Sequence, residues 1–153
     1  MTVNSIQIVP LDRALVPAVA AMEKENFSVP WTTEDFEKSL HDPYTDYFAA
    51  LDGQRALGYI GLRLGMDTAD ITTFCVQKEE RRRGIGTMLL EKACDYAAAK
   101  GCEKLFLEVR RSNKAACALY EKNGFRFVHE RRNYYSHPCE DALVLVKEIG
   151  KKM

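Results

Sequence analysis

The sequence predicts an α/β protein of the mixed α+β kind, a central sheet with helices on both faces in the order β-α-α-β-β-β-α-β-α-β-β. Three observations predict it. Stretches in which apolar and polar residues alternate, typical of strands, take turns with stretches whose apolar residues follow the helical period. Turn-forming residues (Pro30, Asp52-Gly53, Gly101 and Gly124) stand between those stretches. Residues 104–109 are apolar on both faces, as a strand covered from both sides requires. With 153 residues, 46% of them hydrophobic, the chain fits a single domain with a proper core, expected over 1–149, with 150–153 as a short tail.

Residues 5–9 alternate weakly and read as the first strand. Asp12 is placed to cap a helix whose apolar face carries Leu15, Val19, Met22 and Glu23 and which ends near Phe27, before Pro30. Thr32 and Asp35 have the spacing of a capping box, so a second short helix is expected to about Leu40. Residues 44–51 and 56–64 form a hairpin around Asp52-Gly53, and residues 69–76 make the next strand. A glycine turn leads into a helix over 84–100 with Ile85, Met88, Leu89, Ala93, Tyr96 and Ala97 inward, closed by Gly101. Glu108 is the one acid of the strand at 104–109. Ser112 or Asn113 caps the next helix, which carries Ala116, Leu119 and Tyr120 on one side and stops before Gly124. Residues 125–130 and 141–148 read as two closing strands joined by a polar, aromatic loop, 131–140.

Twenty-two basic residues balance 22 acidic ones, so no overall field holds the molecule on nucleic acid or on an anionic membrane. No apolar run has the length of a membrane span and the N-terminus lacks the order of a secretory signal, so a cytoplasmic protein without membrane or direct nucleic-acid partners is expected. The five cysteines are odd in number and contain no CxxC pair, the pattern of reduced thiols. His41, His129 and His137 are too widely spaced for a structural zinc site, and no metal is expected.

Arg82-Arg83-Gly84-Ile85-Gly86-Thr87 is the stretch most informative about chemistry. Its two glycines let the backbone turn tightly between a strand and a helix, and the new helix aims its N–H groups and positive dipole end at the same point, a geometry suited to a phosphate-bearing ligand. An isolated turn of this kind is also an ordinary connection, and the arginines could pair with Glu79 and Glu80 as a surface cluster. Glu108 in an apolar strand has surroundings that favour a general base, yet a strand-end Glu is commonly a surface ion pair, here with Arg110. Tyr120 on an inward helical face is by itself a core residue.

The order of motifs changes that weighing. Arg81-Arg82-Arg83-Gly84-Ile85-Gly86 is followed by Leu107-Glu108-Val109-Arg110, Ser112-Asn113, Ala118-Leu119-Tyr120-Glu121 and Gly124-Phe125. Further blocks are Arg132-Asn133-Tyr134-Tyr135 with Glu140-Asp141-Ala142, and Pro30-Trp31 between Phe27 and Phe36. Over nearly its whole length the chain resembles the GCN5-related N-acetyltransferase superfamily and, within it, the bacterial-type ribosomal-protein alanine acetyltransferases. The resemblance implies the acyl-CoA N-acyltransferase fold with a mostly antiparallel sheet, and acetyl-CoA as co-substrate. It implies coenzyme contacts from Phe74, Cys75 and Val76, from Arg82, Arg83, Gly84, Ile85, Gly86 and Thr87, and from the Asn113 side chain. Glu108 is implied as general base and Tyr120 as general acid. Trp31, Tyr134 and Tyr135 are implied to line a groove for the acceptor, a protein N-terminus, with the alanine of a small-subunit ribosomal protein as the leading candidate.

Three positions depart from the family pattern: Cys75 stands where a small alanine is usual, and Gln77-Lys78 replace an acid-proline pair. Direct transfer in a ternary complex is expected, because neither Cys75 nor Cys117 has a histidine near it in sequence to activate a covalent route. A monomer or weak dimer is expected. The nearest rival keeps the chemistry and changes the acceptor to a lysine side chain, another protein N-terminus or a small-molecule amine. A coenzyme-A-binding module without catalysis would have lost the acid and base, and both are present here.

Overall fold

The computed structural model describes residues 6–27, 29–80 and 84–150. Among them the elements are β1 (Ile6–Pro10), α1 (Val16–Asn26), α2 (Thr33–Ser39), β2 (Thr45–Asp52), β3 (Arg55–Leu64), β4 (Thr68–Val76), α3 (Ile85–Ala99), β5 (Lys104–Arg110), α4 (Lys114–Lys122), β6 (Arg126–Tyr135) and β7 (Glu140–Glu148). The strands form a seven-stranded sheet in the order β1-β2-β3-β4-β5-β7-β6. The ladders β1–β2, β2–β3, β5–β7 and β6–β7 are antiparallel, whereas β4 and β5 pair in parallel from Thr68 with Lys104 to Asp70 with Phe106. The element order matches the one predicted from the sequence. Contacts divide the chain into two compact units, Met1–Arg63 with Thr72–Ala93, and Leu64–Ile71 with Cys94–Met153.

In the first unit the Asp12 cap acts one turn earlier than expected, and α1 itself, with Leu15 at its N-cap, has no side-chain cap. Asp12 Oδ1 accepts from the Leu15 N–H at 3.2 Å and caps a short 3₁₀ turn, Arg13–Leu15, that runs straight into α1. Helix α1 stops at Asn26, with Phe27 already extended. At α2 the capping box is complete: the Asp35 N–H donates to Thr32 Oγ1 at 3.2 Å and the Thr32 N–H donates to Asp35 Oδ2 at 2.9 Å. The two helices bury Val16, Val19, Met22 and Phe36 against Tyr47, Ala49, Tyr59 and Cys75 of the sheet. Gly61 makes this possible, because a Cβ there would lie 2.4 Å from the Tyr47 ring that crosses it. Neighbouring residues of a strand point to opposite faces. Accordingly Tyr59 faces α1 and α2, while Gly58 lies where a Cβ would come within 3.2 Å of Leu89 in α3. Helices therefore cover both faces of β3.

The buried stripe of α3 is Ile85, Leu89, Leu90, Ala93, Cys94 and Ala97. Met88 and Tyr96, expected inward, are only half-buried. The stripe is wider than one row of the helix and turns toward Leu90 and Cys94.

In the second unit, two glycine-terminated helix ends share one geometry. After α3, Gly101 (φ 94) donates to the Ala98 carbonyl and Cys102 to the Ala97 carbonyl. After α4, Gly124 (φ 94) donates to the Glu121 carbonyl and Phe125 to the Tyr120 carbonyl. Both are Schellman closures. Strand β5 buries Leu105, Leu107 and Val109 on one face, but Phe106, Glu108 and Arg110 on the other are half-buried rather than fully covered. The largest departure from expectation is at residues 131–140. The polar run there is not a loop: β6 continues to Tyr135 and β7 starts at Glu140. Ladder bonding overrides the low strand propensity of Arg131-Arg132-Asn133, and a register shift between Arg131 and Tyr135 absorbs Asn133, whose φ is 53.

Candidate active site

The first unit carries the glycine turn and the end of β4. Gly84 adopts φ 82, a left-handed conformation that a side chain would resist, and its carbonyl accepts from the Met88 N–H at 3.0 Å, which makes it the N-terminal cap of α3. Ile85, Gly86 and Thr87 form the first turn of that helix. Arg82 and Arg83, expected beside them, lie outside the described residues, as does Arg81. Cys75 and Val76 are buried at the end of β4 and Phe74 is half-buried. After Val76 the Gln77 N–H donates to the Leu57 carbonyl at 2.8 Å, and a 3₁₀ turn, Lys78–Glu80, follows. Glu80 is buried and ion-paired with Arg55 of β3. Gln77 and Lys78, at the departing positions, are thus held by a main-chain bond to β3 and by a 3₁₀ turn.

Trp31 also belongs to the first unit. Its ring packs edge-on against Phe36 at 5.2 Å and lies 6.4 Å from Tyr47, yet it remains 41% exposed.

The second unit gathers several expected residues on one face of β5. Glu108 Oε2 accepts from Arg131 Nε at 2.7 Å, so its ion-pair partner is a residue of β6 and not the neighbouring Arg110. Tyr134 shares a hydrogen bond with Glu108, and that bond, ahead of burial, raises the Tyr134 phenol above its ordinary value. The Arg131 guanidinium stands 5.6 Å from the Tyr134 ring centre, and the Tyr134 and Tyr135 rings meet edge-on at 5.1 Å. Burial, then the Glu108 charge, pushes the Tyr135 phenol up to about 12.

Arg110 secures the turn between β6 and β7. Its Nη1 donates to the Pro138 carbonyl at 2.9 Å and to Glu140 Oε1 at 3.3 Å, its Nη2 to the Ser136 carbonyl at 3.1 Å, and its guanidinium lies 4.5 Å over the Tyr135 ring. Glu140 Oε2 accepts from the Ser112 N–H at 2.6 Å, and Asp141 Oδ1 from the Asn133 N–H at 2.9 Å. Hydrogen bonds from Ser112, then Arg110, hold the Glu140 carboxyl below its usual range. The Glu140-Asp141 pair is thereby explained: both acids fasten backbone around the two tyrosines.

Asn113 caps α4, its Oδ1 accepting from the Ala116 N–H at 3.1 Å. Tyr120 is buried at the end of that helix, with its ring edge-on to Phe125 at 5.8 Å. This is the apolar contact that accompanies a Schellman closure, so Gly124 and Phe125 fix where the phenol stands. Cys117 is half-buried, and burial pushes its thiol up, which leaves little thiolate for a covalent route. The structure thus brings Glu108, Tyr134 and Tyr135 together. Sequence reasoning named Arg110 as the partner of Glu108 and missed both Arg131 in that place and the hold of Arg110 on the Tyr135 turn, because neither arginine carries a periodic signal.

This fold is that of an N-acetyltransferase. The crystal structure of the ribosomal-protein-S18-alanine N-acetyltransferase from Escherichia coli superposes with a TM-score of 0.87 at 30% identity, over 97% of this chain and 96% of that one. The Acetyltransferase (GNAT) family pattern matches residues 16–125. The chain belongs to that family. It is 34% identical to the ribosomal protein bS18-alanine N-acetyltransferase of Salmonella typhimurium over 96% of this chain and 99% of that protein. It is also 34% identical to the N-alpha-acetyltransferase RimI of Mycobacterium tuberculosis, over 95% of this chain and 94% of that protein.

Proposed function

We propose that this protein transfers the acetyl group of acetyl-CoA to the N-terminal α-amino group of a protein, the alanine of ribosomal protein bS18, by direct transfer. The observation that carries the reading is the end-to-end likeness to the Salmonella enzyme, which spans every motif discussed above. A rival acceptor, such as a lysine side chain or a small amine, has no comparable support.

In this reading the backbone of Arg82, Arg83, Gly84, Ile85, Gly86 and Thr87 holds the coenzyme pyrophosphate, with the dipole of α3 behind it. Main-chain groups of Phe74, Cys75 and Val76 line the pantetheine arm and the thioester carbonyl, where an N–H polarises the carbonyl oxygen. The Asn113 side chain adds a coenzyme contact. Trp31, Tyr134 and Tyr135 receive the acceptor peptide.

A protein α-amino group has a pKa of about 7.7 to 8.0, so near neutrality most of it is protonated and cannot attack. Glu108 takes that proton. The amine nitrogen then bonds to the thioester carbon, the carbon–sulfur bond breaks, and the Tyr120 phenol gives a proton to the departing thiolate, while the nitrogen sheds its second proton to solvent as the amide forms and the phenolate is reprotonated from water. Five free cysteines suit the cytoplasm, where ribosomal proteins are made.

The test is acetylation of a peptide panel that varies at the first residue, with mass spectrometry locating the acetyl group. An alanine-first peptide should be modified on its α-amine. Glu108→Gln keeps an acceptor for Arg131 Nε and Tyr120→Phe keeps the ring against Phe125, so each should lower kcat by roughly 10²- to 10⁴-fold with coenzyme affinity little changed. Acetyl on lysine, or parent turnover in both variants, refutes the assignment.

A further inference from the structure

Glu23 is a buried acid that the chemistry above does not use. It lies on the apolar face of α1 and is only 5% exposed. Its Oε1 accepts from the Trp31 backbone N–H at 2.9 Å, and its Oε2 accepts from the Thr73 hydroxyl at 3.0 Å and from the Tyr59 hydroxyl. One carboxyl group thus ties α1 to β3, to β4 and to the connection between α1 and α2, all within the first unit. Desolvation by burial, then the Glu23 charge, raises the Tyr59 phenol, so that hydroxyl stays a proton donor.

A buried carboxyl is a poor way to gain stability, since apolar residues of similar volume commonly serve as well or better. What it supplies is direction, because each hydrogen bond fixes one partner group at a set angle and distance. Between α1 and α2 the described residues 27 and 29–32 belong to no helix or strand, and Phe27 is 40%, Val29 65% and Trp31 41% exposed. Thr73 at the other end of the cluster immediately precedes Phe74, Cys75 and Val76.

We infer that Glu23 is a positioning residue for the acceptor: through the Trp31 N–H and the Thr73 hydroxyl it locks the Trp31 segment to the end of β4, so that the indole meets an incoming peptide as a preformed wall. The inference rests on the reading of Trp31 as an acceptor contact and of β4 as the coenzyme strand. It adds that the acceptor side is built by a buried acid remote in sequence from the catalytic motifs.

Trp31 is the one tryptophan of the chain, so fluorescence excited selectively at tryptophan reports this segment alone. Glu23→Gln and Thr73→Val should each raise KM for an alanine-first peptide, by about tenfold or more for Glu23→Gln and less for Thr73→Val. Both should make Trp31 more open to acrylamide quenching, while KM for acetyl-CoA stays within about twofold of the parent. Thr73→Ser, which keeps the hydroxyl, should behave as the parent, a distinction that a purely structural role would not draw. Parent values of peptide KM and quenching in both Glu23→Gln and Thr73→Val overturn the inference, and so does a parallel rise of both KM values. Should Glu23→Gln fail to fold, Thr73→Val and Thr73→Ser decide alone by the same criteria. Trp31→Ala separates the two levels. An unchanged peptide KM there overturns the acceptor reading and the inference with it. A raised one, with parent behaviour in the Glu23 and Thr73 variants, overturns the inference only.

Discussion

Replacing Arg110 by methionine keeps the aliphatic stem in β5 and removes the guanidinium. The lost interactions are the bonds to the Ser136 and Pro138 carbonyls, the Glu140 pair and the stacking on Tyr135. The side chain is 25% exposed, so the carbonyl bonds are worth about 1 kcal/mol each rather than the larger values of fully buried charge-assisted bonds. The Glu140 pair at 3.3 Å adds about 0.5 kcal/mol and the stacking about 0.5 to 1 kcal/mol. Freeing the side chain returns about 1 kcal/mol of rotamer entropy. The net loss is about 2 kcal/mol, which for a chain of this size lowers Tm by about 4 to 8 °C.

Thermal unfolding followed by circular dichroism measures this directly, and hydrogen exchange at Asn133 shows whether the loosening is local. Exchange at Ser112 should loosen as well, because its N–H bonds to the Glu140 carboxylate that Arg110 also holds, while helix α4 beyond it serves as the internal control. Arg110→Lys should recover less than half of the loss, since one ammonium cannot serve three acceptors in the plane that the guanidinium does. With the proposed function, the peptide KM rises in Arg110→Met and the acetyl-CoA KM does not. A Tm fall below about 1 °C together with unchanged exchange at Asn133 would refute the reasoning that this side chain holds the turn.

Gly124→Ala should lower Tm by about 2 to 8 °C, because φ 94 costs a side chain about 1 to 2 kcal/mol. The steric part is small, since the nearest atom, Lys147 Cε at 3.2 Å, belongs to a side chain able to move, so an unchanged melting point would contradict the Schellman closure. The raised Tyr135 phenol makes a pH prediction. Its proton is held more tightly folded than unfolded, so its stabilisation is complete below pH 10 and is lost as pH rises toward about 12. Alkaline unfolding of wild type and Tyr135→Phe should therefore diverge only in that window, and a difference already complete below pH 10 would assign the effect to another group.

The parts of the fold legible in sequence are those set by local chemistry. The Thr32 and Asp35 box and the two glycine closures each need only a few consecutive residues and form as read, while Asp12 caps the 3₁₀ turn before α1 rather than α1 itself. What was not legible depends on which strands become neighbours. Glu108 and Arg131 are 23 positions apart and meet because β7 lies between β5 and β6, with Val144 opposite both Glu108 and His129. A reader confined to spacing chooses Arg110, whose side chain instead reaches the β6–β7 turn. The extension of β6 was hidden for a related reason: an edge strand facing solvent needs no apolar alternation, and its residues up to Tyr134 are exposed. Glu23 did leave a signal, an acid at a position of the α1 stripe shared with Val16, Val19 and Met22, but its three donors come from distant segments.

The supports in the two units have a common physical form. Glu23 binds a main-chain N–H at Trp31, Asp141 binds one at Asn133, Glu140 binds one at Ser112, and Arg110 binds the carbonyls of Ser136 and Pro138. Each acts on backbone in a connection or at an irregular point of a strand. Such segments bury only single side chains and not a continuous apolar face, so hydrophobic packing, which is non-directional, leaves their exact placement open. A charged side chain rooted in a helix or strand can, because its hydrogen bonds carry both distance and angle. The aromatic residues assigned to the acceptor lie on segments held in this way, and precision there matters more than stability, since small misplacements of a reacting group cost rate steeply. The polar residues around Trp31, Tyr134 and Tyr135 are therefore better understood as instruments of position than as contributors to the folding free energy.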